Sequence, residues 1–165
     1  MLNLLRKSAA RKQQAGRLYD GIVSRAREPV FFAGFGVADS LDGRFDLLVF
    51  HAWLGLRELK GSPLAQELTN MIFTGFDEAM REQGAGDIGI GHKLKAMANA
   101  FYGRLAVYDA AKDEPELAAA LAKNLWRGGK VDDRALALAA YASRAKQSLS
   151  RSLPNGLDFG PLPTI

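Results

Sequence analysis

The side chains that could carry metal or acid–base chemistry are few and scattered along this sequence. There are two histidines, His51 and His92, and position 55, one helical turn after His51, is a glycine. A zinc site on a helix needs a second ligand at that spacing, so we interpret His51 as a partly buried helical residue and expect His92 to face water. Asp39, Asp42 and Asp46 do not have the spacing of a calcium-binding loop, and helix capping explains either of the first two. The sequence predicts no metal site.

A glycine-rich segment, GAGDIGIG, spans residues 84 to 91. Three of its glycines fit a dinucleotide-binding pattern, but that pattern requires a preceding strand, and a phosphate-binding loop of the Walker type requires a lysine where His92 stands. We interpret the segment as a tight corner between two helices, in which glycine supplies positive φ angles. The alternative is an anion site at the start of the next helix, formed with His92, Lys93 and Lys95. An enzyme that uses this loop on a phosphorylated ligand is a third hypothesis.

The sequence lacks the residues and motifs that usually carry nucleophilic and redox chemistry. The chain contains no cysteine, which excludes disulfides, thiolate metal ligands and a cysteine nucleophile. No segment resembles the G-x-S-x-G turn of serine hydrolases, and no Glu-x-x-His pair is present for a di-iron site. We therefore predict a protein that is not an enzyme, needs no cofactor and acts by binding another protein.

The elements that must present such a binding surface are helices. The length of 165 residues, 48% of them hydrophobic, suits one domain with one core. Apolar residues recur at helical spacing, which predicts an all-α fold: a single-domain bundle of about six helices. The predicted helices run from about Lys12 to Ala26, Asp42 to Lys60, Pro63 to Gly84, Gly89 to Ala111, Pro115 to Gly128 and Asp132 to Ser150.

Three regions follow from this pattern. Residues 1–11 form a basic N-terminal segment, residues 12–150 form the helical domain, and residues 151–165 form an extended tail rich in proline. Val30 to Ser40 is predicted to be an irregular connector that buries Phe31, Phe32 or Phe35; a short strand is the alternative, although no second strand-like run is present to pair with it. No apolar run approaches the roughly 20 residues that span a bilayer, so we do not expect an integral membrane protein.

Positive charge is concentrated at the N-terminal end of the chain. The net charge is +4, and no acidic residue precedes Asp20. The cations before it are Arg6, Lys7, Arg11, Lys12 and Arg17. Such a segment attracts phosphate in RNA or in anionic lipid headgroups, although a solvated surface without a partner is an equal alternative. If residues 1–8 are helical, Leu2 and Leu5 share one face with Leu4 beside them, which indicates an amphipathic membrane contact.

The second predicted helix carries apolar side chains on more than one face. It is either the central helix of the bundle or it exposes an apolar stripe with Phe50, Trp53 and Leu54 to a partner. Arg44 and Arg57 on the same helix are candidates for buried or interface arginines.

Several short pieces between Leu18 and about Ala111 together carry a family resemblance. They are Leu18-Tyr19, Ile22-Val23, Ala26-Arg27, Gly36-Val37, Asp39 to Asp46, Leu56-Arg57, Leu59-Lys60, Gly86 to Gly91, Met97-Ala98 and Ala100 to Arg104. In this combination and order they resemble the ubiquinol–cytochrome c chaperone family.

The resemblance implies an assembly factor for respiratory complex III that looks after newly made cytochrome b. It also implies contact with the ribosome and with a small partner protein, and it implies no DNA partner. The short chain is similar to bacterial members, which suggests the cytoplasmic face of the inner membrane, with the mitochondrial inner membrane as the alternative. A ribosome- or RNA-binding helical module remains an alternative function. The resemblance assigns no binding site, and Arg44, Arg57 and Arg104 are the arginines that we select for partner binding.

Overall fold

In the computed structural model, which describes residues 1–84 and 86–165, six α-helices pack as one bundle and no strand occurs. The helices are α1 (Leu2–Ala26), α2 (Leu41–Glu58), α3 (Pro63–Glu82), α4 (Asp87–Ala110), α5 (Glu114–Leu125) and α6 (Asp133–Ser152). The predicted all-α bundle of about six helices is therefore confirmed. None of the helices in the described part of the chain combines the length and the mean hydropathy needed to cross a bilayer.

Helix α2 is the centre of the bundle. It packs against α1, α4, α5 and α6, so most of its apolar side chains are covered. Phe50, Trp53 and Leu54 are fully buried, and so is His51. The helix that is apolar on every face is thus the central helix, and these three side chains do not form an exposed stripe.

Local cap chemistry fixes the helix starts. The Ser40 and Ser62 hydroxyls accept hydrogen bonds from backbone N–H groups in the first turns of α2 and α3, and Asp113 and Asp132 do the same for α5 and α6. Gly84 has a φ of 80°, a left-handed conformation that is strained for other residues, which explains the stop after α3.

Two stretches before α2 differ from the expectation. Helix α1 begins at Leu2 rather than near Lys12. Its first turns bury nothing, but their leucine, arginine, lysine and alanine residues favour helix. The connector contains one turn of π-helix, Val30–Gly34, instead of an irregular chain. This turn buries Phe31 and is followed by the buried Phe35.

The residues after α6 cross the outside of the bundle without forming a helix. Phe159 is buried, and its ring lies 5.4 Å from the His51 ring, edge to face. The Arg25 guanidinium donates to the Gly160 carbonyl, and the Gln14 side chain donates to the Pro154 carbonyl at 2.7 Å. The tail thereby joins the first helix to the end of the last one.

Candidate functional site

A groove opens on the surface where α1, α2, α3 and α4 meet. We call it the apolar groove; its wall side chains are Tyr19, Val23, Leu41, Phe45, Leu48, Phe76, Ala79 and Met97. Most of them are only half-buried, although they belong to the apolar stripes of their helices. The cavity has a volume of about 200 Å³. Half-buried apolar side chains contributed by four helices form a surface that can take up an apolar segment.

Two neighbouring depressions extend the apolar groove. One of about 310 Å³ shares Leu41, Phe45 and Met97 with it and adds Lys93 on α4. The other, of about 460 Å³, shares Arg44 with it and reaches the π-helical turn. The combined surface runs from the connector after α1 to the first half of α4.

The shape of the apolar groove depends on a close helix crossing. A methyl group at Gly75 on α3 would overlap the Tyr19 hydroxyl on α1, so the present position of the Tyr19 side chain requires glycine here. On the other wall, the Phe45 and Phe76 rings lie 5.1 Å apart between centroids. These two contacts join α3 to α1 and to the Phe45 wall of α2.

Charges are confined to the rim. Arg27, Arg44 and Glu82 line the mouth of the apolar groove. Arg44 is exposed and its Nε donates to Asp39 Oδ1 at 2.8 Å. An apolar floor with a mostly basic rim suits an apolar segment that is flanked by acidic or phosphate groups.

A buried ion-pair cluster lies behind the Phe45 wall. Asp46, one residue further along α2, is fully buried, and its Oδ1 is 2.7 Å from Arg104 Nη2 on α4. Its Oδ2 is 3.1 Å from Arg127 Nη2 in the turn between α5 and α6, and Arg127 also reaches Asp42 at 3.4 Å. The Arg104 guanidinium carbon lies 5.1 Å from the centroid of the Phe45 ring. The cluster therefore links three parts of the bundle and supports one wall residue of the groove.

Burial governs the protonation of this cluster. Desolvation raises the pKa of Asp46 from 3.8 to about 6, against the opposing effect of Arg104 and Arg127, which favour the carboxylate. The carboxyl group therefore changes charge in a mildly acidic range rather than far below it.

The structure gives fold roles to two of the pieces that carried the family resemblance. A side chain at Gly43 would overlap the Ala38 carbonyl, so the Asp42 to Asp46 piece needs glycine where the connector passes close to α2. The piece that ends in Arg104 supplies the partner of Asp46. These two pieces, far apart in the sequence, meet at the buried cluster.

The predicted partner-binding residues do not form one surface. Arg44 lies on the groove rim, whereas Arg57, at the other end of α2, pairs with the neighbouring Glu58 at 3.0 Å. Arg104 is only 15% exposed, because it is held in the buried cluster. The Phe50, Trp53 and Leu54 side chains lie in the core, so in this structure none of them is open to a partner.

The predicted anion-contact residues fall into two groups. Arg6, Lys7, Lys12 and Arg17 are exposed on α1, with Arg11 half-buried; His92 and Lys93 are exposed on α4. The corner of residues 84 to 91 contains Ala85, which lies outside the described residues. Helix α4 starts at this corner with an acidic residue, Asp87, whose carboxylate pairs with Arg81 at 2.8 Å. This negative charge opposes the binding of an anion at the start of α4. In the described residues, no cluster of three or more histidines and carboxylates could hold a metal ion.

The wall residues of the apolar groove were not among the predicted partner-binding residues. Tyr19, Val23, Phe45, Leu48 and Met97 lie on or beside predicted apolar stripes, and the pattern does not show which end of a stripe remains uncovered. The useful signal was Gly75, a glycine inside a helix, which marks a close approach.

Comparison with known proteins identifies the family of this chain. A family model described as ubiquinol-cytochrome C chaperone matches residues 33–154, well over half of the chain. The chain belongs to this family. The crystal structure of the Cbp3 homolog from Brucella abortus is similar to it over 100% of this chain and 97% of that chain, with 35% sequence identity and a TM-score of 0.81. No curated protein matches the chain.

Membership of the ubiquinol-cytochrome C chaperone family supports the predicted role as an assembly chaperone. The family resemblance is confirmed, and a chaperone role in complex III assembly is the family's function. The matched range covers α2, α3 and α4, which supply three of the four helices around the groove. Helix α1 and most of the tail lie outside that range.

Proposed function

We propose that this protein binds newly made cytochrome b during assembly of complex III and that the apolar groove is the surface that receives this client. We choose cytochrome b as the client because the chain belongs to a family of chaperones for ubiquinol–cytochrome c reductase. The observation that supports the groove is the set of half-buried apolar side chains along its walls. A nascent membrane segment is apolar and needs such a surface until it is inserted or packed.

The rim adds a second feature that fits this client. Arg27 and Arg44 stand at the mouth of a floor without charges, so they can hold the polar ends of an apolar segment. We place the protein at the cytoplasmic face of the inner membrane of a bacterium, where such a client is made. The ribosome and a small partner protein are further proposed partners, taken from the family resemblance alone.

Site-specific crosslinking tests the groove directly. A photoreactive phenylalanine analogue is placed at Leu41, which lines the groove and is 42% exposed, in cells that express cytochrome b. The matched control carries the analogue at Leu136, which is 45% exposed on α6 and lies outside the groove. We expect crosslinks to cytochrome b from position 41 and none from position 136.

Two results would reject the proposal. Crosslinks to cytochrome b from position 136 but not from position 41 would move the client to another surface. A strain that lacks the gene but keeps normal amounts of cytochrome b and complex III would exclude the assembly role itself.

A further inference from the structure

The first turns of α1 extend beyond the bundle. All of residues 1–7 are exposed, and the first buried residue of the helix is Ala15. At a rise of 1.5 Å per residue, about 20 Å of helix precedes the core. Leu2, Leu4 and Leu5 are 69%, 72% and 64% exposed, values that are unusual for leucine in a structured helix. This end of α1 has no apolar partner within the described bundle.

The exposed leucines lie on one side of the projecting turns. With 3.6 residues per turn, Leu2, Leu4 and Leu5 fall within an arc of about 160°. Arg6 and Lys7 border this arc on its two sides, about 40° from Leu2 and about 60° from Leu4. The segment is therefore an amphipathic helix with a basic polar face, which is the pattern of helices that lie in a membrane interface.

More cations adjoin the polar face. Lys7 and Arg11 line an open depression of about 570 Å³ together with Lys60, which follows the end of α2. Glu58 is the one acidic residue among its lining side chains. Because no acid precedes Asp20 in the sequence, positive charge prevails along this edge of the molecule.

We propose that residues 1–7, with Arg11 and Lys60 beside them, form a docking surface for anionic lipid. The leucines enter the boundary between headgroups and acyl chains, and the cations contact lipid phosphates. Binding of RNA phosphate would use the cations alone and would leave the three leucines in water. The apolar side of the segment therefore favours lipid over RNA as the ligand of this surface. This proposal rests on the proposed function only in placing the protein at a membrane. It assigns the membrane contact to a surface separate from the apolar groove.

Flotation of the purified full-length protein with lipid vesicles tests this surface. The vesicles contain phosphatidylglycerol and phosphatidylethanolamine, and the reference vesicles contain phosphatidylcholine alone. The test variants are L4S/L5S and R6Q/K7Q; the control is V131S/L136S, which removes two apolar side chains that are 47% and 45% exposed elsewhere. Since every substituted residue is exposed, we expect all three variants to keep the wild-type helical circular dichroism.

We expect the wild-type protein to float with the anionic vesicles and not with the neutral ones. Each cation near an anionic surface contributes about fivefold to binding, so R6Q/K7Q should bind at least tenfold more weakly at low ionic strength. L4S/L5S should lose binding to a similar extent, while V131S/L136S floats as the wild type does.

Binding of L4S/L5S at wild-type strength would overturn the proposal, since the apolar side would then have no part in it. The proposal would also be overturned if the wild-type protein failed to float with anionic vesicles but bound single-stranded RNA, and if L4S/L5S did not change that RNA binding. The vesicles contain no cytochrome b, so failure here leaves the groove proposal standing, and failed crosslinking at the groove leaves the vesicle result standing.

Discussion

The Asp46 carboxylate, fully buried in the central helix, lies 2.7 Å from the Arg104 guanidinium on α4. The same guanidinium covers the Phe45 ring, which is part of the groove wall. A buried charge is therefore placed directly behind the proposed client surface. The ion pair between Asp46 and Arg104 therefore helps to hold Phe45 in the groove wall.

Removing the arginine should destabilise the protein. R104M leaves the Asp46 carboxylate buried without its nearest counter-charge, so we expect the free energy of unfolding at pH 8 to fall by about 3 kcal/mol. Urea unfolding followed by circular dichroism measures this value. The control is R44M, whose solvent-exposed pair with Asp39 should contribute far less to the free energy of unfolding. Equal losses in the two variants would contradict a special role for the buried pair.

The stability contribution of Asp46 should depend on pH with a defined sign. The native pKa of about 6 lies above the ordinary value of 3.8, so the native state holds the proton more tightly than the unfolded state. The contribution is complete below pH 3.8 and is lost as the pH rises through 6. Relative to the non-titrating D46N, the wild type should lose about 2 to 3 kcal/mol between pH 4 and pH 7. Unfolding both proteins at four pH values gives the difference, and a constant difference would refute the shift.

The crossing of α1 and α3 should tolerate no side chain at Gly75. G75A places a methyl group against the Tyr19 hydroxyl, so we expect a loss of about 1 to 3 kcal/mol in thermal or urea unfolding. Y19F should relieve part of this loss in the double variant. G103A, at a helical glycine with open space around it, is the matched control and should be stabilising by up to about 1 kcal/mol. A destabilising G103A with a neutral G75A would reverse this reasoning.

His51 should stay neutral well into the acidic range. It lies between the Leu47 carbonyl, 2.8 Å from Nδ1, and the Tyr141 hydroxyl, 3.2 Å from Nε2, and burial lowers its pKa to about 3. A depressed histidine pKa stabilises the fold above the ordinary value of 6.5, and this stabilisation is lost as the pH falls from 6.5 towards 3. Imidazole nitrogen-15 shifts, assigned with H92N, should show a neutral His51 ring at pH 5. A charged ring at that pH would contradict the burial.

Local chemistry made most of the fold predictable. Ser62 followed by Pro63 predicts the start of α3, and Gly84 predicts its stop, because caps and left-handed glycines act within a few residues. The start of α1 at Leu2 was not predictable in this way, since no side chain caps this end of the helix and its first turns bury nothing.

The candidate site was less predictable, for a physical reason. Asp46 and Arg104 are partners only because α2 and α4 pack together, and neither residue type nor spacing reveals that contact. Phe50 and Phe45 are both aromatic residues of α2, yet one is enclosed and the other lies on a groove wall. Which side of an apolar helix remains open is decided by its neighbours rather than by its own pattern.

The tail that carries Phe159 also bears on the order of events during synthesis. Helix α1 is made before α2 to α6, but the contacts that hold Arg25 and Gln14 come from residues made after α6. Contacts between such distant parts of a chain form late, because they close the largest loop. Helix α1 can therefore pack on α2 and α3 while the rest of the chain is being made, whereas the tail can fix α1 to the end of α6 only after residues 154–160 have been added.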